Sequence, residues 1–245
     1  MKISFCTTCM GRLHHIERTL IPNLITISKY KYAEIILLNY NSRDGMHKWI
    51  TSNCKSWINN GKLKYFYTNK PKHFFAPHAK NIAYLQSKSD FICNLDADNY
   101  VVDNLCFNLV EIFRFKENTI ICSHPNDFSG NHGAAGKLAA KKEIFMSVNG
   151  YDEEQISGWG FDDFSLQKRM QLINDNPICV LEQKYNRVIP HSNEERSKNF
   201  LIKDISLSRQ KSIDRLNSQI SNKNYIVNQN KNWGYISDLK CINIL

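Results

Sequence analysis

The sequence predicts an α/β protein with a mainly parallel central sheet flanked by helices and a helical C-terminal extension. Three observations carry this expectation. Short apolar runs alternate with stretches of helical periodicity through the first half of the chain. One such run, Phe91-Ile-Cys-Asn-Leu95, ends in two carboxylates, Asp96 and Asp98. A second acidic pair, Asp162-Asp163, follows Gly158-Trp-Gly-Phe161 at the start of another helical pattern. In open α/β sheets ligands bind just past the carboxyl ends of the strands, which is where the first pair stands.

Each element has its own signal. Residues 3–6 read as a strand. Leu13, Ile16, Leu20, Leu24 and Ile27 recur at helical spacing, with Pro22 expected to kink or restart the helix. Residues 34–38 form the next strand. Asp44 is placed to cap a helix with Met46, Trp49, Ile50 and Trp57 on one face. A strand over 63–66 and a helix over 78–87 lead to the run at Phe91. Asp103 is placed to cap a helix carrying Leu105, Leu109, Ile112 and Phe113, and 119–123 reads as a strand. The stretch 129–136, Ser-Gly-Asn-His-Gly-Ala-Ala-Gly, is either a close backbone approach to a ligand or a flexible connection. It matches neither the dinucleotide fingerprint nor the phosphate loop. Leu166, Met170 and Ile173 give the helix after Asp163 a buried face. Repeated strand-helix-strand units imply right-handed crossovers. With no internal repeat or low-complexity linker, residues 1–195 read as one domain and 196–245 as an extension packed on it.

Composition narrows the classes. The chain has 245 residues, 42% of them apolar, enough for a substantial core. It has no run of eighteen apolar residues, so no membrane-spanning helix is expected. The start, Met1-Lys-Ile-Ser-Phe5, reads as a strand and not as a signal peptide. Eight cysteines lie mostly inside apolar runs, which predicts reduced, buried thiols and a cytoplasmic location. Cys6-Thr-Thr-Cys9 has redox or zinc spacing, but no second pair matches it. The net charge of +9 favours an anionic partner (a nucleotide, an anionic membrane surface or a nucleic acid) or serves solubility alone. No nucleic-acid-binding motif is present, and no nucleic-acid partner is expected.

The acidic pairs carry the chemistry. Two residues apart in an extended backbone, Asp96 and Asp98 point to one side. Their repulsion needs a cation or a shared proton to offset it, and a divalent metal that also holds phosphate oxygens is the natural offset. The alternative is a plain turn, for which Asp98-Asn99 is suited. At the second pair, carboxylates in a first helical turn are favoured by the helix dipole alone. Glycines around an indole add a functional reading. Trp159 offers a flat face for a sugar ring, and a carboxylate beside it can take a proton from a hydroxyl nucleophile.

The order and spacing of these pieces resemble family 2 glycosyltransferases of the GT-A fold over residues 2–192. Asp96-Ala-Asp98 is similar to that family's Asp-X-Asp, and Ala79-Lys80-Asn81 to its Ala-Arg-Asn. Leu37-Leu-Asn-Tyr-Asn-Ser-Arg-Asp-Gly45 resembles the nucleotide-facing loop. Gly158-Trp-Gly-Phe-Asp-Asp163 resembles the Trp-Gly-X-Glu-Asp motif of β-1,4-galactosyltransferases and related galactosaminyl and chondroitin-type transferases. Asn39 and Tyr40 stand where acidic residues are common, Asp162 replaces a glutamate, and Phe161 replaces a small residue.

The resemblance implies direct displacement with inversion, using Mn²⁺ or Mg²⁺ held by Asp98 with Asp96 and His191. It implies donor contacts from Thr7, Asn39, Asn41, Asp44, Lys80, Asn81 and Asp96, and acceptor contacts from Trp159, Gly160 and Asp162. Asp163 takes the place of the base, with Asp162 able to exchange roles with it. The implied donor is a UDP-sugar, galactose or N-acetylgalactosamine. The implied acceptor is a glycan or lipid-linked sugar of surface polysaccharide or lipooligosaccharide synthesis.

Two other classes stay open at this point, a metal-dependent nucleotidyltransferase and a carbohydrate-binding module. Arg196, Lys198, Lys203, Arg209, Lys211 and Arg215 are expected on a helical stretch, either docked to an anionic membrane or simply solvated. Asn232-Trp-Gly234 resembles a tail motif of small enzymes in the same family.

Overall fold

The computed structural model describes residues 1–123, 134–155 and 157–242. Most of the expected glycine-rich loop, 129–133, lies outside the described residues. Eight strands form one sheet: β1 (Ile3–Cys9), β2 (Ala33–Tyr40), β3 (Leu63–Thr68), β4 (Phe91–Asn94), β5 (Ile120–Cys122), β6 (Leu138–Lys141), β7 (Ile178–Val180) and β8 (Lys240–Ile242). Their order is β7-β5-β6-β4-β1-β2-β3-β8. β1 pairs in parallel with β2 and β4, and β2 with β3. β6 runs antiparallel between β4 and β5, and β8 closes the other edge antiparallel to β3.

The strands are apolar on both faces, as a sheet covered on both sides requires. Along β1 and β2, Ile3, Phe5, Ile35 and Leu37 face one core, shared with α1 (Leu13–Ser28), α2 (Met46–Asn53) and α5 (Leu105–Phe115). Cys6, Ile36 and Leu38 face the other core, shared with α4 (Ala76–Leu85), α6 (Lys142–Ser147) and α7 (Asp162–Ile173). Cys6 and Cys9 therefore lie on opposite faces, as residues three apart on a strand must. They are free and buried, and burial pushes the Cys9 thiol up to about 12, so the pair is neither a redox couple nor a metal clip.

Several boundaries differ from expectation. Pro22 does not restart α1, which runs unbroken from Leu13 to Ser28. Pro22 and Arg18 both lie on its exposed side, so water can reach the carbonyl that loses its partner. The helix expected after Asp44 divides at Cys54, with α3 (Lys55–Asn59) following. Asp103 does not cap α5, because its carboxylate pairs with Lys29. The basic stretch is not one helix. It divides into α8 (Asn193–Ser197), a loop, and α9 (Ile205–Ser221), and the chain then returns to the sheet as β8. No helix among the described residues is long and apolar enough to cross a membrane.

Candidate active site

A cavity opens beyond the C-terminal ends of β1 and β4. Residues Thr8 to Met10, the 96–98 turn, Lys80, Gly136, the first turn of α7, His191, Arg196 and Arg209 all line it. β4 ends at Asn94, so Asp96 and Asp98 are not on an extended strand. They sit in a turn closed by a hydrogen bond from Asn99 N–H to the Asp96 carbonyl, 2.9 Å. The turn and the functional reading are thus compatible, since both carboxylates still line the cavity.

Two buried polar residues of α1 hold this turn. Thr19 Oγ1 donates to the Ala97 carbonyl, 2.8 Å, and Asn23 Nδ2 to the Asn99 carbonyl, 2.9 Å. Asn23 Oδ1 also accepts from Val101 N–H, 2.7 Å. The sequence carried a signal for them, two polar residues flanking the apolar stripe of Ile16, Leu20 and Leu24.

His191 is far from Asp98 in sequence but beside it in space. Segment 187–189 runs antiparallel to the turn, with Tyr100 N–H bonded to the Arg187 carbonyl and Ile189 N–H to the Asp98 carbonyl. This places His191 Nε2 2.7 Å from Asp98 Oδ2. Burial alone would raise the Asp98 carboxyl, but the hydrogen bond and charge of His191, with Asn99 and Arg12, hold it below its ordinary value. Asp96 is raised, chiefly by burial and by the Asp98 charge, against the pull of Lys80. Two carboxylates and an imidazole converging on one cavity make a donor set suited to a hard divalent cation.

The second acidic pair opens α7. Gly160 and Phe161 both have left-handed backbone, φ 102° and 76°, which turns the chain into the helix. Lys80, reaching from α4, donates to Asp162 Oδ2 at 2.8 Å and to Asp163 Oδ1 at 2.7 Å. Tyr151 Oη donates to Asp163 Oδ1 at 2.8 Å. Burial and the Asp162 charge push Asp163 up to about 8, against the Lys80 ammonium. Burial would lower Lys80, yet the charges of Asp162 and Asp163 raise it above its ordinary value. Gly136 fits between the two acidic sites, since a Cβ there would run into Asp96 and crowd Asp163 Oδ2.

Trp159 lines the same cavity, but one face of its indole is covered. The Arg196 guanidinium lies 4.6 Å from the ring centroid. The turn around it is fixed to α9, where Ser208 Oγ donates to the Trp159 carbonyl at 2.9 Å. Of the expected site residues, Lys80, Asp96, Asp98, Trp159, Gly160, Asp162, Asp163 and His191 meet at the cavity.

The remaining donor candidates do not line it. Thr7 is buried, and its neighbour Thr8 faces the cavity instead. Asn39 donates to Tyr65 Oη and accepts from Ser42 N–H. Asn41 donates to the Pro71 carbonyl. Asp44 accepts from the N–H groups of Leu13 and Met46, capping the starts of α1 and α2. Asn81 is fully buried, with its amide bonded to the backbone of Tyr151 and to Glu153. It positions Tyr151, which in turn holds Asp163. Sequence reasoning missed Arg12, Tyr151, Thr19 and Asn23.

The family model for glycosyl transferase family 2 matches residues 13–170. The chain belongs to that family. No curated protein matches it. Among solved structures, residues 1–349 of TarS from S. aureus superpose with a TM-score of 0.59 at 12% identity, over 77% of this chain and 59% of that one. The mannosyltransferase PcManGT from Pyrobaculum calidifontis, solved with GDP-Man and Mn²⁺, gives 0.57 at 14%, over 77% of this chain and 57% of that one. GalNAc-T7, solved with UDP, GalNAc and Mn²⁺, gives 0.57 at 16%, over 73% and 42%. At these identities the likeness is one of fold, the GT-A fold. The family 2 chain spans only 59%, 57% and 42% of these three solved chains.

Proposed function

We propose that this family 2 protein is an inverting glycosyltransferase that moves a hexosyl group from a nucleotide-sugar to a hydroxyl of a glycan or lipid-linked acceptor. The observation that carries the reading is the convergence of two acidic sites, Asp96-Asp98-His191 and Asp162-Asp163-Lys80, on one cavity. TarS has been solved with UDP-GlcNAc and PcManGT with GDP-Man, which supports a nucleotide-sugar donor here. A uridine diphosphate sugar, galactose or N-acetylgalactosamine, remains the proposed donor.

Asp98, Asp96 and His191 would hold Mn²⁺ or Mg²⁺. When bound, such an ion offsets charge building on the departing diphosphate. Asp163 is the proposed base. Its carboxyl, raised to about 8, is basic enough to take a proton from a sugar hydroxyl once it is ionised. Lys80 and Tyr151 orient that carboxylate, and Asp162 is left to bind acceptor hydroxyls. The uncovered side of Trp159 and the apolar walls of Phe74 and Phe200 would receive the acceptor ring. Attack in line with the leaving group then inverts the anomeric carbon. Lys198, Leu201, Leu207 and Lys211 are exposed on the segment from α8 into α9, which suits a lipid-linked acceptor presented at an anionic membrane.

The test is a panel of nucleotide-sugars with Mn²⁺ and a sugar acceptor. Release of a nucleoside diphosphate is expected. Release of pyrophosphate would mean nucleotidyl transfer, and no turnover with any donor would mean a binding module.

A further inference from the structure

The first turn of α1 meets α8 in a cluster that the proposed chemistry does not use. His14 Nε2 lies 2.5 Å from Glu195 Oε1, and His15 Nε2 lies 3.4 Å from the same oxygen. One ligating atom from each residue lies within 4.8 Å of the others. The two rings are neighbours, with centroids 4.2 Å apart. His15 is only 2% exposed, and its Nδ1 has no hydrogen-bond partner among the described residues.

Nε2 of both imidazoles faces one carboxylate oxygen, an arrangement that hydrogen bonds or a shared cation can satisfy. A cation between them gives all three groups a common partner. Four-coordinate bonds of about 2.0–2.1 Å set neighbouring ligand atoms about 3.3 Å apart. The His15 contact already has that length. The His14 contact must open slightly, which its side chain, 56% exposed, can do by rotation.

We propose that His14, His15 and Glu195 form a second divalent-metal site, of the zinc class, that staples α8 to the start of α1. Imidazole-rich sites favour zinc over manganese, whereas the oxygen-rich site at Asp96 and Asp98 favours the reverse. The exposed His14 side leaves a fourth position for water. The staple acts on a functional segment. Arg12 Nη2 already donates to the carbonyls of Glu195 and Arg196, both at 3.1 Å. Arg196 covers Trp159, and His191 lies at the other end of the same segment. Zinc at Glu195 therefore fixes the strap that carries a candidate metal ligand and one wall of the acceptor site.

The experiment uses the full chain and Co²⁺ as a spectroscopic probe. Tetrahedral Co²⁺ should give a visible absorption band that saturates at one equivalent and is displaced by Zn²⁺ but not by equimolar Mn²⁺. The same band should persist in Asp98→Asn. It should need at least about 100-fold more Co²⁺ in Glu195→Gln and in the solvent-exposed change His14→Gln. No band in Asp98→Asn, or an undiminished band in both His14→Gln and Glu195→Gln, overturns the site. Metal binding is read without turnover, so its failure leaves the glycosyl-transfer reading untouched.

Discussion

Asp163 concentrates the electrostatics of the site on one carboxyl. Burial and the Asp162 charge raise it to about 8, while Lys80 pulls it down. A base works only when deprotonated, so kcat/KM should fall as pH drops below that value, with a slope of one proton. Lys80→Met removes the ammonium that lowers the carboxyl. The acid limb of the pH profile should then move to higher pH. An unmoved limb would show that another group titrates there. Gly136→Ala should abolish turnover without unfolding the protein, because the new methyl meets the polar groups of Asp96, Asp163 and Asn94 and no apolar core side chain among its nearest neighbours. Normal turnover in that variant would mean that the two carboxylates need not keep their spacing. At this scale the acidic residues were legible because charge at the end of an apolar run is visible in one dimension. Position in a motif points to Asn39, Asn41, Asp44 and Asn81 as donor contacts, and it gives no sign of the hydrogen bonds that these side chains make to the framework. A side chain's partners depend on tertiary neighbours that a motif does not specify.

At the scale of elements, helices aim the site. α1 holds the Asp96–Asp98 turn through Asn23, which satisfies one buried carbonyl and one buried N–H. Asn23→Ala should cost about 1–3 kcal/mol for each backbone group left unpaired, read as a lower unfolding midpoint in urea. It should also weaken metal-dependent turnover, while Lys48→Ala on the exposed face of α2 should change neither. α9 holds the turn on the proposed acceptor side, where Gly158 packs so closely that a Cβ would run into Ser208. Gly158→Ala should raise the acceptor KM, and Ser208→Gly in the same chain should restore part of it. No rescue would mean that α9 does not set the Trp159 turn. The parallel strands were readable from long apolar runs. β6 and β8, four and three residues long, carry too little sequence to announce a pairing. The tail motif Asn232-Trp-Gly234 also gained a role only from packing. Trp233 lies against Phe145, and Gly234 N–H donates to the same Glu153 carboxylate that accepts from Asn81.

Across the whole molecule, the basic C-terminal stretch divides its work. Arg196 and Arg209 line the cavity and Arg215 pairs with Asp152, so the surface keeps Lys198, Lys203 and Lys211 beside Leu201 and Leu207. Co-sedimentation with anionic vesicles at low salt should exceed that with neutral vesicles and should fall in Lys198→Gln/Lys211→Gln. Equal binding to both vesicle types would leave these lysines as solvated surface. The central claim joins both halves of the chain in one reaction, with the donor held at Asp98 and His191 and the acceptor deprotonated at Asp163. The most direct measurement is made on Asp163→Asn, with donor affinity from calorimetry and turnover from steady-state kinetics on the same preparation. The account predicts donor affinity close to that of the unchanged protein and turnover lower by about 10² to 10⁴. Near-normal turnover in Asp163→Asn, with Asp162→Asn inactive, would give the base to Asp162, and near-normal turnover in both would contradict the mechanism.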